Sequence, residues 1–366
     1  MRLDELDFAF PEELIAQRPS EPRDACRLLV VDRNSGALSH RIFRDLPTLL
    51  RPGDVLVVNE SRVLPARVWA HKKTGGRVEL LFLRRADRAT ESHGHEKAGS
   101  TAEGREVWEV LARPSSRLRA GVALTVGHDT SLTLQESLGD GRWLLSHQGA
   151  PDVLDLLERY GAMPLPPYIR TPLQDPDEYQ TVYATVPGSA AAPTAGLHFT
   201  PTLLSRLGEV GVQIERVTLH VGADTFRPVS AEQVEEHQIH TETYHVEQAV
   251  AERLDRARAE GRRLVAVGTT AVRVLETVYG QSEAREGVKM PATGATDVFI
   301  TPGYRFRAVD ALITNFHLPR TSLLALVMAF GGVQVVRNAY QEAVERRYRL
   351  FSFGDAMLLT GGDDLA

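Results

Sequence analysis

Two short apolar runs near the start of the chain, 28–31 (LLVV) and 55–58 (VLVV), are bounded by the turn residues Asn34-Ser35-Gly36 and Pro52-Gly53-Asp54 and read as buried strands. After Asn59 the texture changes. The stretches ARVWAH, RVELLFL, EVWEVLA, VALTV, LTLQE and GRWLLS recur at short intervals with glycine-rich breaks, which predicts a small antiparallel barrel or sandwich over about 65–150. A polar interruption at 85–106, carrying His93 and His95, reads as a hairpin tip. From Pro151 helical and strand periods alternate. VLDLLERYG is amphipathic and closes at Gly161, and the connector 163–172 is proline-rich and extended. Thr200 and Pro201 open a helix that ends at Gly211, VQIERVTLHV is a strand, and Ser230 with Gln233 forms a capping-box pair for another helix. RRLVAVG then feeds TTAVRVLETVYG as strand, turn and helix. DVFIT and ALITNF supply two more strands, and SLLALVMAF and VQVVRNAYQEAVERRY two more helices.

A length of 366 residues with 43% hydrophobic content exceeds what one core usually organises, so two domains are expected. The single cysteine, Cys26, makes neither an internal disulfide nor a multi-thiolate zinc site, which fits a reducing compartment, the cytoplasm. MRLDELDFAF has no basic flank or long apolar run of the signal-peptide kind, and LLALVMAF is far too short to cross a bilayer, so a soluble protein is expected. The formal charge of −6 argues against sequence-blind coating of nucleic acid. Arginine is nevertheless frequent in the first third, where the balance is slightly positive.

Candidate chemistry concentrates in five loops: PTAGLHFT (193–200), TLHVGADTF (218–226), HQIHTETY (237–244), AVGTTAVRVLE (266–276) and TNFHLP (314–319). Each mixes small residues with histidine, hydroxyl or carboxylate groups at an apolar strand end, as a composite active site requires. Gly268-Thr269-Thr270 offers backbone N–H groups and two hydroxyls at a helix start, although plain threonine capping produces the same pattern. The small-residue run 187–196 lets a ligand approach the backbone closely. His198, His220, His237, His240 and His317 invite a metal reading, but no HExxH pattern occurs, and as a set they suit acid–base or polar substrate contacts better. No GxSxG elbow, GxxxxGK[ST] loop or strand-borne GxGxxG is present, which disfavours common hydrolases, P-loop enzymes and the usual dinucleotide-binding folds.

Taken in order, PEELIAQRPSEPRDACRLLV, RPGDVLVVNESRVLPAR, TGGRVELL, YQTVYATVPGSAAAPTAGLHFT, TLHVGADTFRPV, HTETY, VAVGTTAVRVLE, TDVFITPGYRF, ITNFHLPRTSLLALV and YRLFSFGDAM resemble the S-adenosylmethionine:tRNA ribosyltransferase-isomerase family of queuosine biosynthesis. The resemblance spans nearly the whole chain, with 85–106 the main stretch lacking a counterpart. It implies an α/β main domain (1–64 and 151–366) with an inserted antiparallel β-barrel domain (65–150). It also implies attachment of the ribosyl portion of S-adenosylmethionine to 7-aminomethyl-7-deazaguanine at a tRNA wobble position, giving epoxyqueuosine and releasing adenine and methionine. S-adenosylmethionine is then a consumed substrate, with no cofactor and no metal. The implied partner is a tRNA with a GUN anticodon, acted on by a monomer without a membrane.

A sulfonium acidifies the adjacent 5′ carbon, so the chemistry needs a base, a proton donor for departing adenine and a clamp on methionine. Carried onto the family blocks, His198, His220, Glu242 and His317 are the proton-transfer candidates. Thr194, Gly196, Thr269, Thr270, Arg273, Asn315 and Phe316 are the substrate-contact candidates, with Thr269, Thr270 and Arg273 for a carboxylate or hydroxyl and Tyr168 and Phe316 for stacking on a base. Arg23, Arg62, Arg67, Lys72 and Lys73 are candidate RNA contacts. The chain departs from the family pattern at Glu60-Ser61, Asp224, Ala271 and Thr321-Ser322. Two other readings compete: a metal-dependent hydrolase built on the histidines, and a noncatalytic RNA-binding module using the barrel and the arginine-rich first third.

Overall fold

A computed structural model describes residues 1–86, 106–128, 130–148, 152–222, 233–237, 239, 241–280 and 293–361. The chain divides into two compact units, Met1–Arg62 with Pro166–Val186 and Ala192–Ala366, and Val63–Leu165 with Pro187–Ala191.

The first unit is built on a nine-stranded mixed sheet in the order Thr293–Thr296, Glu242–His245, Gln213–Leu219, Val55–Asn59, Leu264–Val267, Ala311–Asn315, Ala356–Thr360, Arg27–Asp32 and Leu38–Ile42. Val55–Asn59 runs parallel to both Gln213–Leu219 and Leu264–Val267, and the latter runs parallel to Ala311–Asn315. The central strands 55–59, 264–267, 311–315 and 356–360 are buried throughout, which is why they read as continuous apolar runs rather than alternating ones. One face packs Leu28, Val30, Leu56, Val58, Val265 and Ile313 against Phe43, Phe199 and the helix Pro201–Glu209. That helix starts where the sequence predicts, with the Thr200 hydroxyl accepting from the Leu203 amide at 3.1 Å.

The helix Gly268–Gly280 follows its strand directly and is buried on all sides from Gly268 to Tyr279. Its inner carboxylate, Glu276, accepts from the backbone N–H groups of Arg307, Ala308 and Val309 and from the Tyr304 hydroxyl. DVFIT is not a strand. The strand lies one step earlier, at Thr293–Thr296, because the Val298 amide bonds to Thr296 Oγ1 at 3.3 Å and the Val298 carbonyl accepts from Arg273 Nε, leaving no ladder to extend. Ser230 of the expected capping box lies outside the described residues, and Gln233 precedes a single turn, Val234–Glu236. Among the described residues no single helix is long and apolar enough to cross a membrane.

In the second unit the strands Arg67–Lys72, Arg77–Arg85, Val107–Arg113, Arg142–Gln148, Thr130–Gly139 and Ala123–Val126 pair in that order, and the last returns to the first through His71 opposite Thr125 and Lys72 opposite Leu124. This closes a six-stranded antiparallel barrel, as the closely spaced strand-like stretches with glycine-rich breaks and the family resemblance predict. Val68 and Ala70 point inward while Trp69 and His71 face out. Val78, Leu80, Phe82, Val110, Leu124, Leu132 and Leu145 complete the filling. The helix Val153–Tyr160, capped by Asp152, adds Val153, Leu156 and Leu157 to this core. Of the interruption at 85–106, residues 87–105, with His93 and His95, lie outside the described residues.

Candidate active site

Four parallel strands end on one edge of the large sheet, at Leu219, Asn59, Val267 and Asn315. Carboxyl ends of parallel strands are where open α/β sheets bind ligands. Asn59 fixes the first two ends together: its Nδ2 donates to the Leu219 carbonyl and its Oδ1 accepts from the Leu219 amide, both at 3.0 Å, and from the Ser61 amide at 3.1 Å. The next residue, His220, donates its backbone N–H to the Thr243 carbonyl. Burial lowers the affinity of the His220 imidazole for a proton. Its Nδ1 is buried without a hydrogen-bond partner among the described residues. A neutral imidazole with an open nitrogen is suited to accept a proton.

At the third strand end, Gly268 adopts φ +84°, the left-handed region that favours glycine, while a Cβ there would make only an ordinary 3.5 Å contact with Ala195 Cβ. Thr269 and Thr270 follow, both buried, and Thr270 Oγ1 has no partner among the described residues. Arg273, one turn further on, forms an ion pair with Glu242 and donates to the carbonyls of Val298 and Thr296 at 3.3 and 3.2 Å. Glu242 also accepts the Gly222 amide at 2.8 Å. Arg273 therefore ties the helix to the sheet edge through its own protein partners.

Asn315 ends the fourth strand. Its Nδ2 donates to His198 Nε2 and to the Phe351 carbonyl, each at 3.1 Å, and its Oδ1 accepts from the Thr194 hydroxyl at 2.9 Å. Because His198 Nε2 accepts, the ring proton sits on Nδ1, which faces Cys26 Sγ at 3.3 Å. Burial, reinforced by the charges of Arg349 and Arg23, pulls the His198 pKa down to about 3. His198 is thus a neutral ring with both nitrogens engaged, and it holds Asn315 and the 193–198 segment in register. Gly196 is required by packing: a Cβ there would fall 2.1 Å from the Tyr183 hydroxyl and 2.8 Å from Thr181 Cγ2.

His317 Nε2 lies 2.8 Å from the Thr314 hydroxyl, and its backbone N–H donates to the Tyr340 hydroxyl at 2.8 Å. Burial lowers its pKa to about 3. It borders a small recess shared with Tyr168, Thr194, Asn315, Leu323, Phe351 and Ser352. Phe316, expected to stack on a base, is wholly buried edge-on to Tyr340 and Tyr348, at ring separations of 5.3 and 5.7 Å. Tyr168 is the partly exposed ring at this place, held by a 2.7 Å hydrogen bond between its hydroxyl and Ser352 Oγ.

The five basic candidates divide between the units. Arg23 donates to the carbonyls of Gln180 and Asp177, both at 2.6 Å, and Arg62 lies 3.7 Å from Asp177. In the barrel unit Arg67 pairs with Glu79 at 3.3 Å, Lys72 reaches the Arg117 carbonyl, and Lys73 is exposed. Among the described residues no group of three or more histidine, cysteine, aspartate or glutamate side chains is arranged to hold a metal ion. His240 and Asp224 lie outside the described residues. Sequence reasoning gave no role to Asn59 or Phe351. An asparagine directly after a four-residue apolar strand is a usable signal, since its amide can bond both backbone groups of a neighbour. Phe351, with φ +70° and its carbonyl on Asn315, carries no such signal.

Comparison with known proteins covers nearly the whole chain. A family model described as "Queuosine biosynthesis protein" matches residues 3–359. The S-adenosylmethionine:tRNA ribosyltransferase-isomerase of Rubrobacter xylanophilus is 55% identical over 362 residues, 99% of this chain and 98% of that relative. The protein of the same description from Symbiobacterium thermophilum is 51% identical over 363 residues, 98% of this chain and 100% of that relative. A crystal structure of S-adenosylmethionine tRNA ribosyltransferase from Thermotoga maritima is 38% identical, covers 97% of this chain and 99% of its own, and superposes with a TM-score of 0.53.

Proposed function

The chain belongs to the S-adenosylmethionine:tRNA ribosyltransferase-isomerases of queuosine biosynthesis, and on that premise we propose how its sheet-edge residues serve the reaction. The enzyme transfers and isomerises the ribosyl moiety of S-adenosylmethionine to form epoxyqueuosine in tRNA. The acceptor is 7-aminomethyl-7-deazaguanine at the wobble position of a GUN anticodon, and adenine and methionine leave. His220 removes the proton from the 5′ carbon that the sulfonium acidifies; its neutral imidazole with an open buried Nδ1 is the observation that carries this assignment. Thr269 and Thr270, at the buried start of the helix Gly268–Gly280, meet a polar group of the substrate. His317 is the second imidazole available for proton exchange. His198, Glu242 and Arg273 act by position, holding the loop and helix that carry the others.

The test is adenine release from S-adenosylmethionine by the purified chain, followed chromatographically. Adenine is expected only when tRNA carrying 7-aminomethyl-7-deazaguanine is also present. No adenine with both substrates present overturns the reading.

A further inference from the structure

One backbone carbonyl fixes the direction of every hydrogen bond around His198. The Phe351 carbonyl can only accept, so the Asn315 atom facing it at 3.1 Å is the amide nitrogen Nδ2. The same Nδ2 lies 3.1 Å from His198 Nε2, which must therefore carry a lone pair, and the ring proton sits on Nδ1, 3.3 Å from Cys26 Sγ. Burial raises the pKa of the Cys26 thiol, so the sulfur stays neutral and serves as the acceptor at the end of this row. On the other side of the amide, Asn315 Oδ1 accepts from the Thr194 hydroxyl at 2.9 Å. Cys26, His198 and Asn315 are buried, whereas Thr194 is only partly so and borders the recess beside His317. With its one proton turned inward, the Thr194 hydroxyl presents lone pairs alone to whatever docks there.

We propose that Cys26 is a positioning residue of the reaction: by holding the Nδ1–H tautomer of His198 it locks the Asn315 amide and keeps Thr194 a hydrogen-bond acceptor. The inference rests on the ribosyl-transfer reading of the site and adds a residue that acts only through His198 and Asn315. The opposite tautomer would set His198 Nε2–H against the Asn315 Nδ2 protons. Turning the amide to relieve that clash would place Oδ1 against the Phe351 carbonyl. Either arrangement leaves buried polar groups facing their own kind, which costs more than one hydrogen bond contributes. A Thr194 hydroxyl fixed in this way takes an N–H or O–H donor and rejects a carboxylate or carbonyl oxygen, so the row of protons filters polarity at the fourth strand end.

Nitrogen-15 spectra of the full chain with labelled histidine, assigned with His198→Gln, should show a pyrrole-type Nδ1 and a pyridine-type Nε2 for His198 at neutral pH. The reverse pattern overturns the proposal. Adenine release with both substrates below saturation is the second readout. Cys26→Ala should lower kcat/KM about five- to tenfold, the effect of losing one neutral hydrogen bond, and Cys26→Ser, which retains a polar acceptor, should stay within about twofold of wild type. Thr194→Val should lose about tenfold. Because Cys26 acts through Thr194, Cys26→Ala/Thr194→Val should be no slower than Thr194→Val alone. Cys26→Val, apolar and of similar size, serves where Cys26→Ala does not fold. A purely structural thiol would shift the unfolding midpoint and leave these rates alone, so normal kcat/KM in the folded variants, or losses that multiply in the double variant, overturns the role. A wild-type chain that releases no adenine with both substrates present removes the transfer reading instead, and the nitrogen-15 pattern then decides the proton arrangement by itself.

Discussion

Asn315 and His198 share a hydrogen bond, Nδ2 to Nε2 at 3.1 Å, that joins a strand end to the 193–198 segment in the core. The same amide satisfies the Phe351 carbonyl and the Thr194 hydroxyl, so Asn315→Ala leaves three polar groups without it. A cost of about 2–4 kcal/mol is expected from the exposed deficits. Urea unfolding with an unchanged m-value measures it, and a loss below about 0.5 kcal/mol contradicts the role assigned to this network.

Acid stability follows from the same burial. His198 and His317 stay neutral in the folded chain down to about 3, whereas in the unfolded chain they protonate near 6.5. The unfolded state therefore binds more protons below pH 6.5, and stability falls as pH drops through the window from about 6.5 to about 3. Each ring contributes at most about 1.4 kcal/mol per pH unit there and nothing above it. His317→Gln should remove about half of the two-ring slope. Equal slopes in the variant and the wild type between pH 6.5 and 5 reject this account.

Breaking the ion pair of Glu242 and Arg273 should be costly, because both side chains are buried. Glu242→Gln is expected to lose about 3–5 kcal/mol by leaving the guanidinium uncompensated. The double variant Glu242→Gln/Arg273→Met should regain most of that loss in thermal unfolding. If the double variant is no more stable than the single one, the penalty does not arise from an unpaired charge.

Gly196→Ala tests the close approach of the loop to Tyr183. A loss of about 1–3 kcal/mol is expected from overpacking. Adding Tyr183→Phe removes the nearest atom, the hydroxyl oxygen, and should restore part of it. A Gly196→Ala protein as stable as wild type would show that the segment yields without cost.

His220→Ala separates chemistry from architecture. Turnover should fall by about 10²–10⁴ while the unfolding midpoint stays close to that of the wild type. Retained turnover, measured as adenine release under saturating S-adenosylmethionine and tRNA, removes His220 from the reaction.

Much of this fold is legible in the sequence where one physical signal dominates. Four barrel strands, Arg67–Lys72, Arg77–Arg85, Ala123–Val126 and the first half of Thr130–Gly139, show period-two burial, and Val55–Asn59, Leu264–Val267 and Ala311–Asn315 read as unbroken apolar runs. The strand Ala356–Thr360 is equally buried, yet nothing local says that it inserts between Ala311–Asn315 and Arg27–Asp32, since its pairing with the latter joins residues more than 300 apart in sequence. Leu38–Ile42, an edge strand with two exposed residues, has no full apolar period to read. The helix Val153–Tyr160 is clear from its spacing, but its partner, the barrel core, is not. Within the site, the sequence picks out the loops and not their internal economy. His198 and Arg273 look chemically free in a string of letters, and only the fold supplies Cys26, Asn315, Glu242 and the two carbonyls that engage them.

One carboxylate deserves its own experiment. Glu276 gathers three consecutive main-chain amides, 307 to 309, that belong to no strand or helix. Those protons should exchange with deuterium far more slowly than loop amides generally do, at a pace set by the helix that carries Glu276. The stretch from Tyr304 to Val309 would then behave as an appendage of that helix, so any displacement of the helix start by bound substrate is felt at the far end of the same rod.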